Sequence, residues 1–370
     1  MEHYDVIIVG AGIAGTGLAY NLYQEGYKGS VLVIDKNQIG ENIKQFRYRN
    51  TFKEVIDEYN LPFEHKFKGL KMGTCDKIYS TIDHSFYFVD YTKICSAMLK
   101  CSNADFHNAK AECINNKILV TDKSKYEFKY IIDCSGNTFF LKNSLNRPKP
   151  FKYFIGNLNI YKGKVKKSSN YFYFLSEKRG FVEDVYPLHG KILQGEWQIT
   201  SIVDFNLIKP VSQYFKTIIE NPSLVSREQV FYPISPVLPL TYKYYALLGD
   251  SFGNATPSTG EGIRPILDSS KLLASSIKKS NLKAYEKDWK NKYLGVYLRN
   301  LAFKMDISNR LDVIKVLKDY PDIMLKLIKN EKIDLPKTLR RRFSRKFLFK
   351  QLYYNSILNL KYSKLNYLNW

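Results

Sequence analysis

The chain has 370 residues, 45% of them hydrophobic, enough for one large core or two modest ones and too apolar for disorder to be the default. Its 57 Lys and Arg against 35 Asp and Glu give a net charge of +22, which suits an anionic partner such as nucleic acid, a membrane surface or an acidic substrate, or else a solvated lysine-rich surface. Cys75, Cys95, Cys101, Cys113 and Cys134 form no CxxC pair, so no metal site is expected. Their odd number argues against a secreted disulfide framework, with a Cys95–Cys101 bridge left open.

The chain enters a strand within a few residues of Met1. The expectation is therefore no signal peptide, and no apolar run long enough to span a bilayer as a helix. Tyr4–Val9 is a continuous apolar run, the pattern of a strand buried on both faces. Ile13–Gln24 has the period of a helix with Leu18, Ala19 and Leu22 inward and Gly26 as its stop, and Val31–Ile34 is a second buried strand. Together they form a βαβ unit of about 30 residues. The pattern weakens from Lys36 to Ser85. Phe86–Val89 then reads as a strand, Tyr91–Lys100 as a helix, and Cys113–Val120 and Tyr126–Ile132 as strands. Phe151–Ile208 alternates aromatic and polar residues, as an antiparallel sheet does. Tyr245–Leu248 is a short buried strand, Ile266–Ile277 a helix, and the remainder is helical and basic.

Gly10-Ala11-Gly12-Ile13-Ala14-Gly15 fits GxGxxG between a strand and a helix, the context in which that pattern binds a dinucleotide. Gly10 allows the tight turn, Gly12 lets the backbone approach a pyrophosphate, and Gly15 lets helix and strand pack closely. The helix start offers N–H groups and the positive end of its dipole to the phosphates. Asp35 ends the second strand 20 positions after Gly15 and can accept hydrogen bonds from a ribose while repelling a 2′-phosphate. A second glycine-rich turn, Gly249-Asp250 through Pro257 to Gly260-Glu261-Gly262-Ile263, also lies between a strand and a helix. On the residues alone it is a second ligand-contacting turn.

That second segment resembles the GD…P-x-x-G-x-G-I motif of FAD-dependent enzymes in the para-hydroxybenzoate hydroxylase branch of the glutathione reductase superfamily. Within the branch it is most similar to archaeal geranylgeranyl reductases. The segment Tyr130–Gly136, ending Asp133-Cys134-Ser135-Gly136, is similar to the branch's strand ending in D-A-S-G, and Val89-Asp90-Tyr91 resembles its V-D-R with Tyr in place of Arg. The resemblance covers roughly residues 1–280 and implies FAD as cofactor. It implies that Asp250 meets the ribityl–pyrophosphate region, that Pro257 and Gly260 to Ile263 lie beside the isoalloxazine, and that the chain passes the cofactor at Ser135 and Gly136. No second free-standing GxGxxG is present, so reduction of the flavin is expected from a transient donor, NAD(P)H or a reduced carrier protein.

The expected fold is α/β: a Rossmann-like FAD-binding domain with a parallel sheet (1–60, 89–145 and 236–280), an antiparallel β-sheet substrate domain (61–88 and 146–235) and a basic helical C-terminal region (281–370). Geranylgeranyl reductases carry a Y-x-W-x-F-P stretch. Here Gly180–Pro187 keeps Tyr186 and Pro187 but has Val182 and Asp184 where Tyr and Trp would stand. The same segment is similar to the F-L-E-E-T stretch of lycopene cyclases, in which a carboxylate helps protonate an olefin. Glu183, Asp184 and Tyr186 are therefore the candidate catalytic residues, an acid in a dry pocket being what such a protonation needs. Both acids could equally be solvated, and His189 is a further, lone candidate. The aromatic residues of 151–200 suit a pocket for a long apolar chain or simply a sheet core.

Residues 331–370 carry ten Lys and Arg against two acids, with Leu339, Phe343, Phe347, Leu348 and Leu352 near helical spacing. This tail reads as a membrane-surface helix, a single-strand nucleic-acid binder or a packed helical cap. The anionic membrane is the adopted reading and nucleic acid is not expected. The implied activity is reduction of C=C bonds in isoprenoid chains of membrane lipids or quinones, in the cytoplasm or at the inner face of the membrane. An FAD-dependent aromatic monooxygenase and a lycopene cyclase-like flavoprotein are the alternatives.

Overall fold

The structure is a computed structural model. It describes residues 1–41, 48–74, 77–144, 150–166, 170–176, 181–188, 190–208, 215–257, 259–307, 320–329 and 331–332. The strands in chain order are β1 (Glu2–Val9), β2 (Val31–Asp35), β3 (Tyr48–Phe52), β4 (His65–Phe67), β5 (Gly69–Gly73), β6 (Ile78–Ile82), β7 (Phe86–Asp90), β8 (Asp105–Asn108) and β9 (Ala111–Asn115). They continue with β10 (Ile118–Thr121), β11 (Lys125–Asp133), β12 (Tyr153–Val165), β13 (Tyr171–Ser176), β14 (Phe181–Leu188), β15 (Lys191–Thr200), β16 (Ile219–Pro233), β17 (Thr241–Tyr242) and β18 (Tyr245–Leu247). The helices are α1 (Ile13–Gln24), α2 (Lys53–Tyr59), α3 (Tyr91–Lys100), α4 (Phe140–Ser144), α5 (Phe215–Ile218), α6 (Ile263–Lys278), α7 (Leu282–Trp289), α8 (Gly295–Ile307) and α9 (Pro321–Ile328).

The first sheet runs β17-β18-β11-β1-β2-β8, with the β9–β10 hairpin on β11. From β18 to β8 all neighbours are parallel. Helices α1, α3 and α6 pack together over it, and its central strands are unbroken apolar runs with residues of both faces buried: Val6, Ile7, Ile8, Leu32, Val33 and Ile34 are fully buried. Gly17 lets α1 touch α6, since a Cβ there would lie 2.5 Å from a Leu267 methyl. This is the parallel, Rossmann-like layer that the N-terminal pattern implies.

The second sheet has seven strands in the order β16-β12-β15-β14-β13-β5-β6, antiparallel throughout except where β13 meets β5. A small sheet, β3-β7-β4, packs on the second through aromatic contacts: Phe67 and Phe88 meet Tyr186, and Phe86 meets Phe172. The composition thus gives a mixed α/β protein with one parallel and one largely antiparallel layer. Sequence reasoning anticipated the strands of 151–208 but not β16, whose Asn221-Pro222 and mostly exposed residues carry no strand signature. Cys95 and Cys101 are both free thiols. His189 and nearly all of the basic tail lie outside the described residues.

Candidate functional site

Three chain turns meet at the carboxyl ends of β1, β11 and β18, where open parallel sheets place their ligands. Gly10 has φ +114°, and a Cβ there would stand 2.3 Å from the Cys134 carbonyl oxygen. A Cβ on Gly15 would stand 1.9 Å from the Gly10 oxygen, so neither position accepts a side chain. Gly249, at φ +75°, lies against Ala14, where a Cβ would come within 2.7 Å of its methyl. The first and second glycine-rich segments, far apart in sequence, are therefore in contact.

Gly12 differs from these three. It caps α1 with an extended backbone that any residue adopts, so the chain's own conformation gives no reason for glycine. The same holds for Gly262, which caps α6 and where a Cβ would make only ordinary contacts at 3.5 and 4.0 Å. Neither helix has a side-chain cap from its N-cap residue or an acid in its first turn; the Tyr91 hydroxyl accepts from the first N–H of α1 and the Glu261 carboxylate from the Arg264 N–H of α6. Beside α6, the hydroxyls of Thr256 and Thr259 are buried with no hydrogen-bond partner among the described residues. A glycine at the head of α6 with no steric need of its own and two buried hydroxyls without a partner among the described residues are the marks of a cradle shaped for a ligand.

Around this cradle each predicted residue can be located. Ile13 and Ala14 are buried at the head of α1. Asp35 ends β2 and braces the turn: its Oδ2 accepts from Ala11 N–H at 2.8 Å and its Oδ1 from Asn37 N–H at 2.8 Å. Asp133 is fully buried and accepts from Ser135 N–H (2.9 Å), Ser135 Oγ–H (2.6 Å) and Leu141 N–H (2.8 Å), which fixes the Ser135–Gly136 turn. Ser251 Oγ ties that turn to the second one by donating to the Asp133 carbonyl at 2.6 Å. Pro257 is buried, and Tyr297 anchors the loop from behind by donating to the Gly253 and Ala255 carbonyls. Gly260, at φ +77°, sits under Tyr232, where a Cβ would be 2.0 Å from the phenol oxygen. Ile263 opens α6, and Glu261 accepts from Arg264 N–H at 3.0 Å.

The Asp250 carboxylate accepts no hydrogen bond from the described residues. Burial pushes it up to about 6, against a pull downward from Arg49. Burial likewise pushes Glu261 up to about 7, with Arg264 pulling it down. A carboxylate with unused acceptor capacity at the mouth of a glycine-rich turn is chemically suited to sugar or polyol hydroxyls.

The second sheet closes the opposite side. Adjacent residues of a strand point to opposite faces, so Glu183 and Asp184 part company. Glu183 is fully buried on the far face and accepts from Gln194 Nε2 at 2.6 Å; that face also carries Asn157, Asn159 and Glu196. Asp184 lies on the face toward the cradle. Its Oδ2 accepts from Tyr186 Oη–H at 2.7 Å and its Oδ1 from Trp197 Nε1–H at 2.8 Å. Gly195, its cross-strand neighbour, makes room: a Cβ there would lie 2.0 Å from Asp184 Oδ1. Burial raises the Asp184 carboxyl, while its two donors and Arg49 pull it down. Tyr186 and Tyr232 are pushed far up by burial and then by the Asp184 charge.

Four contributors escaped sequence reasoning. Arg49 on β3 donates to the Tyr48 carbonyl at 2.7 Å and acts electrostatically on Asp184, Tyr186, Tyr232 and Asp250 together. Trp197 and Tyr232 come from strands that pairing alone brings beside Asp184. The fourth is Tyr91, whose replacement of an Arg looked like a loss. Its hydroxyl accepts from Ile13 N–H at 2.9 Å and so holds the start of α1. The Val89-Asp90-Tyr91 motif was the available signal.

Residues 5–44 match the family model described as FAD dependent oxidoreductase. The cofactor is FAD. The matched stretch is the strand, glycine-rich turn and helix that open the first sheet. Among solved structures, it is similar to a geranylgeranyl bacteriochlorophyll reductase-like protein from Thermoplasma acidophilum, at 17% identity over 99% of this chain and 100% of that one, with a TM-score of 0.72. It is also similar to a flavin-dependent brominase, at 16% identity over 89% of this chain and 93% of that one, TM-score 0.72. A third is p-nitrophenol 4-monooxygenase from Pseudomonas putida, at 12% identity over 89% of this chain and 98% of that one, TM-score 0.67. At such identities the likeness establishes a shared fold, and the substrate has to be argued from this chain's own residues.

Proposed function

We propose that this protein saturates C=C bonds of isoprenoid chains in membrane lipids or quinones. The observation that carries the proposal is Asp184: an acid with a raised pKa, gripped by a tyrosine and a tryptophan, on the sheet face that meets the cradle. The similarity to the reductase-like protein, which spans both chains nearly end to end, supports the same reading.

In this scheme Gly10, Gly12, Ile13, Ala14 and Gly15 hold the FAD pyrophosphate against α1, and Asp35 takes the ribose. Ser135, Gly136, Gly249 and Asp250 receive the ribityl chain, while Pro257, Gly260, Gly262 and Ile263 flank the ring. Bound and reduced, FAD supplies a hydride equivalent. Asp184 holds the proton that the second olefinic carbon requires, and Tyr186 Oη, 2.7 Å away, keeps that carboxyl oriented. Phe67, Phe88 and Phe172 around Tyr186 exclude water, which favours the protonated form of the acid. Glu183, on the opposite face, has a structural part only.

The electron donor in this account visits transiently, as NAD(P)H or a reduced carrier protein. The basic tail attaches the enzyme to an anionic membrane. Among the described residues no helix is long and apolar enough to cross one. The test is anaerobic reduction of the purified flavoprotein followed by geranylgeranyl lipid. Flavin reoxidation with a mass gain of two hydrogens per bond supports the proposal. Oxygen-dependent hydroxylation of a phenol, without lipid turnover, replaces it with a monooxygenase.

A further inference from the structure

We propose that the loop 201–208, which continues β15, is the segment by which this protein dips into a lipid surface to collect its substrate. The inference rests on the isoprenoid reading above and adds the place of contact.

The loop is ordered from within. Thr200 Oγ1 accepts from Ile202 N–H at 3.2 Å, Asp204 Oδ1 accepts from Asn206 N–H at 3.0 Å, and Lys152 Nζ donates to Ser201 Oγ at 2.7 Å. Phe205 and Ile208 pack inward against Phe139, Tyr153, Ile155 and Phe231. Yet Ile202 is 62% exposed, Val203 42% and Leu207 42%. A loop that packs two half-buried apolar side chains inward and holds three others out in water has a further partner for them.

Two observations favour a lipid surface. The loop is the direct continuation of the strand that carries Trp197 and Ile199. From Gly195, opposite Asp184, to Thr200 at the end of the strand is five residues, about 17 Å at roughly 3.3 Å per strand residue, and Ile202 follows in the bend beyond. A long-chain lipid can bridge that span with its head at the surface and a double bond at Asp184. The chain's +22 charge, meanwhile, draws it to anionic headgroups, and three apolar side chains then add the insertion that charge alone does not give.

The test uses the full-length holoprotein and vesicles of phosphatidylcholine with phosphatidylglycerol at 3:1. Val203→Trp should show a blue-shifted emission on vesicle addition, and brominated acyl chains should quench it. The triple variant Ile202→Ser, Val203→Ser, Leu207→Ser should lose about tenfold or more of the vesicle affinity that survives in high salt, where surface charge is screened. It should keep its activity on detergent-dispersed substrate. Unquenched fluorescence of the Val203→Trp variant together with unchanged high-salt binding of the triple variant overturns the inference. So does a change of oligomeric state in the triple variant without any wild-type insertion, since that makes the loop an interface between copies. If the loop inserts but no prenyl lipid is reduced, the docking surface stands and the reductase assignment falls.

Discussion

Replacing Asp184 by Asn separates the two adjacent acids of β14 and puts a number on the proton donor. Asp184 receives two hydrogen bonds, from Tyr186 Oη at 2.7 Å on one oxygen and from Trp197 Nε1 at 2.8 Å on the other. Asn keeps one acceptor and turns an NH2 toward the second donor. That strands a buried donor at a cost of about 1–3 kcal/mol, partly offset because a poorly solvated carboxylate is gone. The fold should survive with a melting temperature a few degrees lower. Catalysis should suffer more: loss of a positioned general acid costs about 10²–10⁴-fold, or roughly 3–5 kcal/mol of barrier. Stopped-flow reoxidation of the reduced flavin by substrate reads this step directly. Because the carboxyl's pKa is raised, the wild-type rate should fall as pH rises through that pKa, and the Asn variant should lose this dependence. Glu183→Gln, on the far face, should retain its bond to Gln194 and stay within about threefold of wild type. A wild-type rate in Asp184→Asn, or a collapse in Glu183→Gln with flavin still bound, would refute the assignment.

Other consequences follow from the cradle. Asp250 is raised from 3.8 to about 6, so its contribution to apoprotein stability is full below pH 3.8 and is lost as pH rises through about 6. Sugar hydroxyls favour the charged form, so FAD affinity should weaken as pH falls below about 6, and Asp250→Asn should bind FAD more weakly with a flatter pH profile by fluorescence titration. Tyr91→Phe removes the acceptor of Ile13 N–H; a stability loss of about 1 kcal/mol in urea melts and weaker FAD retention are expected, and unchanged values would deny it a part in the phosphate turn. Gly260→Ala forces a Cβ toward Tyr232 from a left-handed backbone and should lower FAD occupancy without unfolding the first sheet, measured as the 450-nm-region absorbance (about one flavin per chain in wild type) against far-UV circular dichroism.

The N-terminal unit was legible because its signals are local. A strand buried on both faces, a glycine turn, a largely buried apolar helix and Asp35 stand within about 30 residues, and each has its own residue signature. The second glycine-rich segment was legible as a turn, though its contact with Ala14 through Gly249 was not. What escaped depends on register. Glu183 and Asp184 are equivalent in sequence, and only the pairing of β14 with β15 decides which acid shares a face with Trp197. Arg49 lies in a stretch of weak periodicity, and its field on four groups exists only after three sheets have met. Tyr91 shows the opposite error: a departure from the motif's Arg hid a residue whose hydroxyl caps the phosphate turn. The membrane reading of the tail concerns residues outside those described.

The central claim is that a reduced flavin here gives its electrons to an olefin. The most direct measurement is a single turnover under strict anaerobiosis: reduce the flavin with dithionite, mix with a geranylgeranyl lipid in deuterated water, and follow flavin absorbance and lipid mass together. The account predicts full return of the oxidised spectrum, with each saturated bond carrying two solvent-derived deuteriums, because dithionite supplies electrons only and both the flavin N–H and the Asp184 carboxyl exchange with water. A flavin that stays reduced in the presence of the lipid, and reoxidises only when oxygen and a phenol are admitted, would contradict it.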